Sequence, residues 1–120
     1  KKQVDQPKMN VTPPMKNRKK FSKDVIRQAA EKFNGLCANC GQARAADPHH
    51  IRFRSDGGKG VLSNCLPVCR PCHVEIHREP ELAMKWKDWA KAEYGFDYWM
   101  DEHDKELHKM EMQRQFEGEG

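Results

Sequence analysis

At 120 residues and 14.0 kDa the chain is long enough for one small domain, and with 37% hydrophobic residues its core is thin enough to want a structural metal. It contains neither an apolar run of bilayer-spanning length nor a signal-peptide core, so a soluble, cytoplasmic protein without a membrane partner is expected. The net charge of +4 is uneven: residues 1–20 carry +6, residues 21–100 carry +2 and residues 101–120 carry −4. The first residue is Lys rather than Met, which suggests a processed or trimmed chain.

Residues 1–20 hold seven Lys or Arg with Pro7, Pro13 and Pro14 and little that could pack, which predicts a disordered or loosely docked basic arm. Lys16, Arg18, Lys19 and Lys20 are its candidate phosphate contacts, and a merely solvated terminus is the alternative. Deleting the arm is expected to weaken polyanion binding without touching any chemistry carried by the rest of the chain. A helix is predicted next, with Ser22 as N-cap, Asp24 in its first turn, Val25, Ile26, Ala29, Ala30 and Phe33 on one face, and Asn34-Gly35 as the stop.

Cys37-Ala38-Asn39-Cys40 follows, and a matching Cys69-Arg70-Pro71-Cys72 comes after 28 intervening residues. Five cysteines, four of them in two Cys-x-x-Cys pairs, fit tetrahedral zinc in a reducing compartment better than a disulfide framework. Four thiolates would close the coordination shell, so this metal is expected to be structural. Cys65 is left over and reads as a small buried apolar residue.

Between the cysteine pairs, 47–54 reads as a strand carrying His49 and His50, whose side chains must point to opposite faces. The stretch 55–60 is a loop and a second short strand is predicted near 66–68. A helix over about 72–78 then puts His73 and His77 on one face. Four of the six histidines lie within 29 residues beside the cysteine framework, a density that a purely structural zinc module does not need. Pro80 opens a further helix over 81–94, stopped by Gly95, whose Leu82, Trp86, Trp89 and Ala90 form a core-packing stripe. Residues 101–120 read as a charged helical tail, so the expected division is arm 1–20, domain 21–100 and tail 101–120.

Cys37-x-x-Cys40, His49-His50-Ile51, Asn64 and Cys69-x-x-Cys72-His73-x3-His77 together resemble the HNH endonucleases of the His-Me finger (ββα-metal) superfamily, in the branch with a four-cysteine zinc site. The resemblance covers about residues 33–80 and implies an α+β fold, a zinc-stabilised ββα-metal domain with flanking helices and a basic N-terminal arm. It also implies metal-dependent hydrolysis of DNA phosphodiesters with 5′-phosphate and 3′-hydroxyl products. His50 matches the general base, and Asn64 matches the residue that steadies the loop and orients that base. His49, His73 and His77 match the ligands of one catalytic divalent metal, Mg2+, Mn2+ or Zn2+, in an arrangement similar to that of the nuclease colicins. Arg52 and Arg54 are candidates to grip phosphate, with ordinary exposed arginines as the alternative. Asp47 to Ile51, Glu75-Ile76-His77 and the Trp-rich helix are further similar to small phage and prophage HNH proteins associated with recombination, which would make a recombinase filament on DNA a partner. The competing reading is a zinc-stabilised DNA-binding module without chemistry.

Overall fold

The computed structural model describes residues 17–119, with side chains through residue 117. Ser22 caps the first helix, α1 (Lys23–Lys32), its side chain accepting from the Val25 N–H at 3.1 Å. The helix ends where Asn34 adopts a left-handed φ of 58°. Its Ala29 is buried with Phe21 and Cys65, so Cys65 is the small core residue that its sequence context suggested.

A two-stranded antiparallel sheet follows, β1 (Asp47–His50) against β2 (Cys65–Val68), with His49 opposite Leu66 and His50 opposite Cys65. The first strand is shorter than the expected 47–54. Ile51 still donates to the Asn64 carbonyl, but the Arg52 N–H turns to the Asn64 side chain at 2.7 Å, and residues Arg54–Asp56 coil into a single 3-10 turn. An amide taken by a side chain cannot continue the ladder, so the strand stops there.

Helix α2 (Arg70–Arg78) begins two residues earlier than expected, with Cys69 at its N-cap position and Pro71 in the first turn, where a missing N–H costs nothing. Helix α3 (Pro80–Tyr94) and helix α4 (Glu102–Glu119) complete the chain. The main core joins Ile51, Leu66, Val68 and Ile76 to Ala83, Trp86, Ala90 and Tyr98. Trp86 also donates to Asn39 at 3.0 Å, fastening α3 to the first cysteine knuckle. The sheet and α2 thus form a ββα unit, with α1 and α3 packed around it.

Contacts cross both expected domain limits. Arg18 pairs with Asp101 and Asp104 at the start of α4, so residues at the edges of the expected arm and tail meet each other. Lys16 and the rest of the arm through residue 16 lie outside the described residues.

Candidate metal centres

The two knuckles bring Cys37, Cys40, Cys69 and Cys72 together, with their sulfur atoms all within 4.8 Å of one another. The strand register does this: Ala38 N–H donates to the Pro67 carbonyl at 2.8 Å, so the first knuckle is hydrogen-bonded to the end of β2, and β2 leads directly into the second. Burial opposes ionisation of Cys37, yet backbone N–H donors from Cys40, Cys69 and Asn39 bring its thiol down to about 6. A hydrogen bond from Asn39 lowers Cys72, but burial and three neighbouring sulfurs push it up to about 12. Four crowded thiols resist collective ionisation unless a cation joins them, and a closed tetrahedral S4 set suits structural zinc.

The second cluster is made of imidazoles. His49 from β1 and His73 and His77 from α2 place their ligand atoms within 4.8 Å of one another. The rings are packed at centroid separations of 5.0 to 5.2 Å. His49 is buried, and its Nδ1 has no hydrogen-bond partner among the described residues. Such an orphaned buried nitrogen carries a desolvation cost unless something binds it. Burial, reinforced by the neighbouring His73 and His77, drives the His49 pKa down to about 3, and burial lowers that of His77 as well. Neutral imidazoles are the form that binds a metal, so the donor set fits a divalent cation.

Asp47 shares the His49 face of β1 and reaches His73, its Oδ2 lying 3.0 Å from Nδ1. Arg70 holds the same carboxylate at 2.6 Å. The hydrogen bond from His73, helped by Arg70, lowers the Asp47 pKa. An anionic acceptor at Nδ1 leaves His73 Nε2 as the nitrogen open to a metal. Sequence reading gave Asp47 no role beyond opening the strand, although its spacing of two from His49 was the available signal.

His50 faces the other way. Its ring stacks on Phe21 at 3.9 Å, and its Nε2 meets the Lys19 carbonyl at 2.6 Å. A carbonyl only accepts, so Nε2 carries the hydrogen and Nδ1 keeps its lone pair. Burial lowers the His50 pKa, with the nearby Arg54 adding to the effect against the Lys19 carbonyl, so the neutral base is favoured. His50, His73 and His77 line one cleft of about 600 Å3, together with Lys20, Arg54 and Phe53.

Asn64 is fully buried beneath this cleft's loop. Its Oδ1 accepts from the Arg52 N–H at 2.7 Å, and its Nδ2 donates to the carbonyls of Arg52 and Lys59 at 3.2 and 3.0 Å. Both amide hydrogens and one lone pair of the oxygen are thus spent on tying residues 52 and 59 together. Gly58 sits so close that a Cβ there would come 1.8 Å from the Arg52 oxygen.

The candidate cations separate. Arg54 and Lys20 are exposed and line the cleft. The Arg52 guanidinium instead lies 4.2 Å over the Trp99 ring and donates to the Asp56 carbonyl. Arg18 is spent on Asp101 and Asp104 with only 6% of its side chain exposed, which removes it from the candidate DNA contacts. The Lys19 ammonium donates to the Arg54 carbonyl at 2.9 Å. Phe21 and the Lys19 carbonyl were missed as site groups: a backbone oxygen leaves no mark in a residue pattern.

A small α+β domain with an S4 cluster bracing a ββα unit and a histidine cluster on its strand and helix is a ββα-metal domain. The model of the HNH endonuclease family matches residues 37–79. A mitochondrial DNA mismatch repair protein mutS homolog from Sarcophyton glaucum is 37% identical over 68 residues, 52% of this chain and 7% of that protein. The type IV methyl-directed restriction enzyme EcoKMcrA of Escherichia coli K12 is 30% identical over 56 residues, 39% of this chain and 20% of that enzyme. The chain therefore aligns with no more than a fifth of the length of either relative.

Proposed function

We propose that this domain is a metal-dependent endonuclease that hydrolyses DNA phosphodiester bonds, with His50 as general base and His49, His73 and His77 holding one catalytic divalent cation. The observation that carries this reading is the shared cleft: a histidine whose Nε2 hydrogen is taken by the Lys19 carbonyl lines the same space as two of the three imidazoles of a metal-ready cluster. A binding module without chemistry has no use for either.

His50 Nδ1 takes a proton from water as that water attacks phosphorus in line with the departing 3′ oxygen. A divalent cation, when bound, stabilises the negative charge that builds on the phosphate and the leaving group. Arg54 and Lys20, at the rim, hold the phosphate that is cut or its neighbour. Asn64 keeps the loop carrying Arg52 and Arg54 in register with the strand that bears His50. Asp47 keeps His73 in its ligating tautomer.

DNA as substrate is supported by the family match and by the restriction-enzyme relative. The similarity of Asp47 to Ile51, Glu75 to His77 and the Trp-rich α3 to phage recombination-associated HNH proteins supports a bacterial or phage cytoplasmic setting and a recombinase filament as partner. Among the described residues no helix is long and apolar enough to cross a membrane. The test is a cleavage assay on plasmid and single-stranded DNA with Mg2+, Mn2+ or Zn2+, with and without a recombinase, against His50→Ala. Equal cleavage by the two proteins, or none by either under any metal, would overturn the proposal.

A further inference from the structure

Residues 17–21 run past His50 as a strap, and Phe21 and the Lys19 carbonyl have no part in phosphate binding. Phe21 stacks on the imidazole with ring planes 21° apart, and the Lys19 carbonyl accepts from its Nε2. The strap is itself pinned. Arg18 donates to both Asp101 oxygens at 2.7 and 2.9 Å and to Asp104 at 2.9 Å, in a fork that fixes orientation as well as distance. Its carbonyl accepts from the Gly60 N–H at 2.8 Å, and the Lys19 ammonium donates to the Arg54 carbonyl. Gly60 lies so near that a Cβ there would sit 2.1 Å from the Lys20 oxygen.

We propose that this strap is a positioning device for the general base: the Lys19 carbonyl selects the Nε2–H tautomer of His50, and the Arg18 clamp on Asp101 and Asp104 holds that carbonyl in place. The inference rests on the reading of His50 as the base. A neutral imidazole has two tautomers, and only one can donate from Nε2. Rotating the ring by half a turn would replace Nε2 with a carbon and lose the bond, while the Phe21 face confines the ring plane. Proton abstraction at Nδ1 therefore depends on residues from the chain's basic N-terminal region and from the start of α4, both far from His50 in sequence. Arg18 and Gly60 are positioning residues, acting through the backbone of Lys19 and Lys20.

The experiment uses the full chain loaded with zinc, as wild type, Arg18→Ala, Arg18→Lys and Gly60→Ala. Single-turnover cleavage at saturating metal and DNA is measured beside nitrogen-15 NMR of the histidine rings. Wild-type His50 should report hydrogen on Nε2. Arg18→Ala and Gly60→Ala should mix the tautomers and lower turnover by about tenfold or more, part of the 10²–10⁴-fold that a placed base contributes, with little change in half-saturating DNA. Arg18→Lys should recover part of the loss. Wild-type His50 carrying hydrogen on Nδ1, or a folded Gly60→Ala protein with unchanged turnover, overturns the proposal. So does a fall in turnover that leaves the His50 tautomer untouched. Wild type that cuts DNA under no metal refutes the endonuclease reading, while the tautomer measurement still decides the role of the strap.

Discussion

Asp47 Oδ2 lies 3.0 Å from His73 Nδ1, and the same carboxylate is gripped by Arg70, so one residue of β1 sets the tautomer of a candidate metal ligand on α2. Replacing Asp47 with Ala should weaken metal binding at the histidine cluster by about 10–100-fold, the usual effect of losing such an outer partner. Titrating zinc-loaded protein with Co2+ or Mn2+ by calorimetry measures this directly. An affinity equal to wild type would show that His73 needs no help from the strand.

His50→Ala should reduce cleavage by at least about 100-fold while leaving DNA affinity nearly intact, because a general base acts on the transition state rather than on the bound ground state. Binding measured by fluorescence anisotropy and turnover measured on the same preparation separate the two effects. Turnover near wild type would remove His50 from the role of base.

The two metal centres should respond oppositely to ligand loss. Cys72→Ala breaks the closed sulfur set that joins both knuckles to the sheet, so the protein should unfold or lose its cooperative transition. His77→Ala should stay folded and bind the second metal weakly. Circular dichroism with elemental analysis distinguishes the two, and a stably folded Cys72→Ala protein with full zinc content would contradict this division of labour.

Acid should loosen the clamp between Arg18 and α4. The hydrogen bond and charge of Arg18 hold the Asp101 carboxyl far below the usual carboxylate range of about 4. A depressed folded-state pKa means that the contribution to stability is complete above the unfolded value and disappears as pH falls from about 4 toward the folded one. Denaturant midpoints between about pH 6 and 2 should therefore fall more steeply for wild type than for Asp101→Asn. Parallel curves would show that the pair contributes nothing to folding.

Much of this architecture is legible in the sequence because spacing carries it. The paired cysteines, the alternation of His49 and His50, and the four-residue step from His73 to His77 each follow from a chain period. The Ser22 cap and the Asn34-Gly35 stop are equally local. What escaped reading is non-local or made of backbone: the Lys19 carbonyl on His50, the stack of Phe21, and the pairing of Arg18 with Asp101 and Asp104. Charge alone made Arg18 a phosphate contact, because composition records a guanidinium but not the two carboxylates that occupy it. The truncated end of β1 was hidden for a related reason, since it depends on the side chain of Asn64, twelve residues beyond Arg52.

The basic region accordingly divides at its last few residues. Removing all of residues 1–20 was expected to spare the chemistry, but that cut takes away the Lys19 carbonyl and the Arg18 clamp. Removing residues 1–16 leaves both in place while deleting four lysines and one aspartate. Each phosphate neutralised by a lost lysine contributes a slope of about −0.9 in log affinity against log salt on duplex DNA. The shorter deletion should therefore bind DNA more weakly at low salt, with a shallower salt dependence, and still cleave normally at saturating protein. The longer deletion should lose turnover at saturation as well. Anisotropy titrations across salt concentrations, paired with single-turnover rates, test both cuts: unchanged affinity and slope in the shorter deletion would make those lysines bystanders, and normal turnover in the longer one would detach the strap from the base.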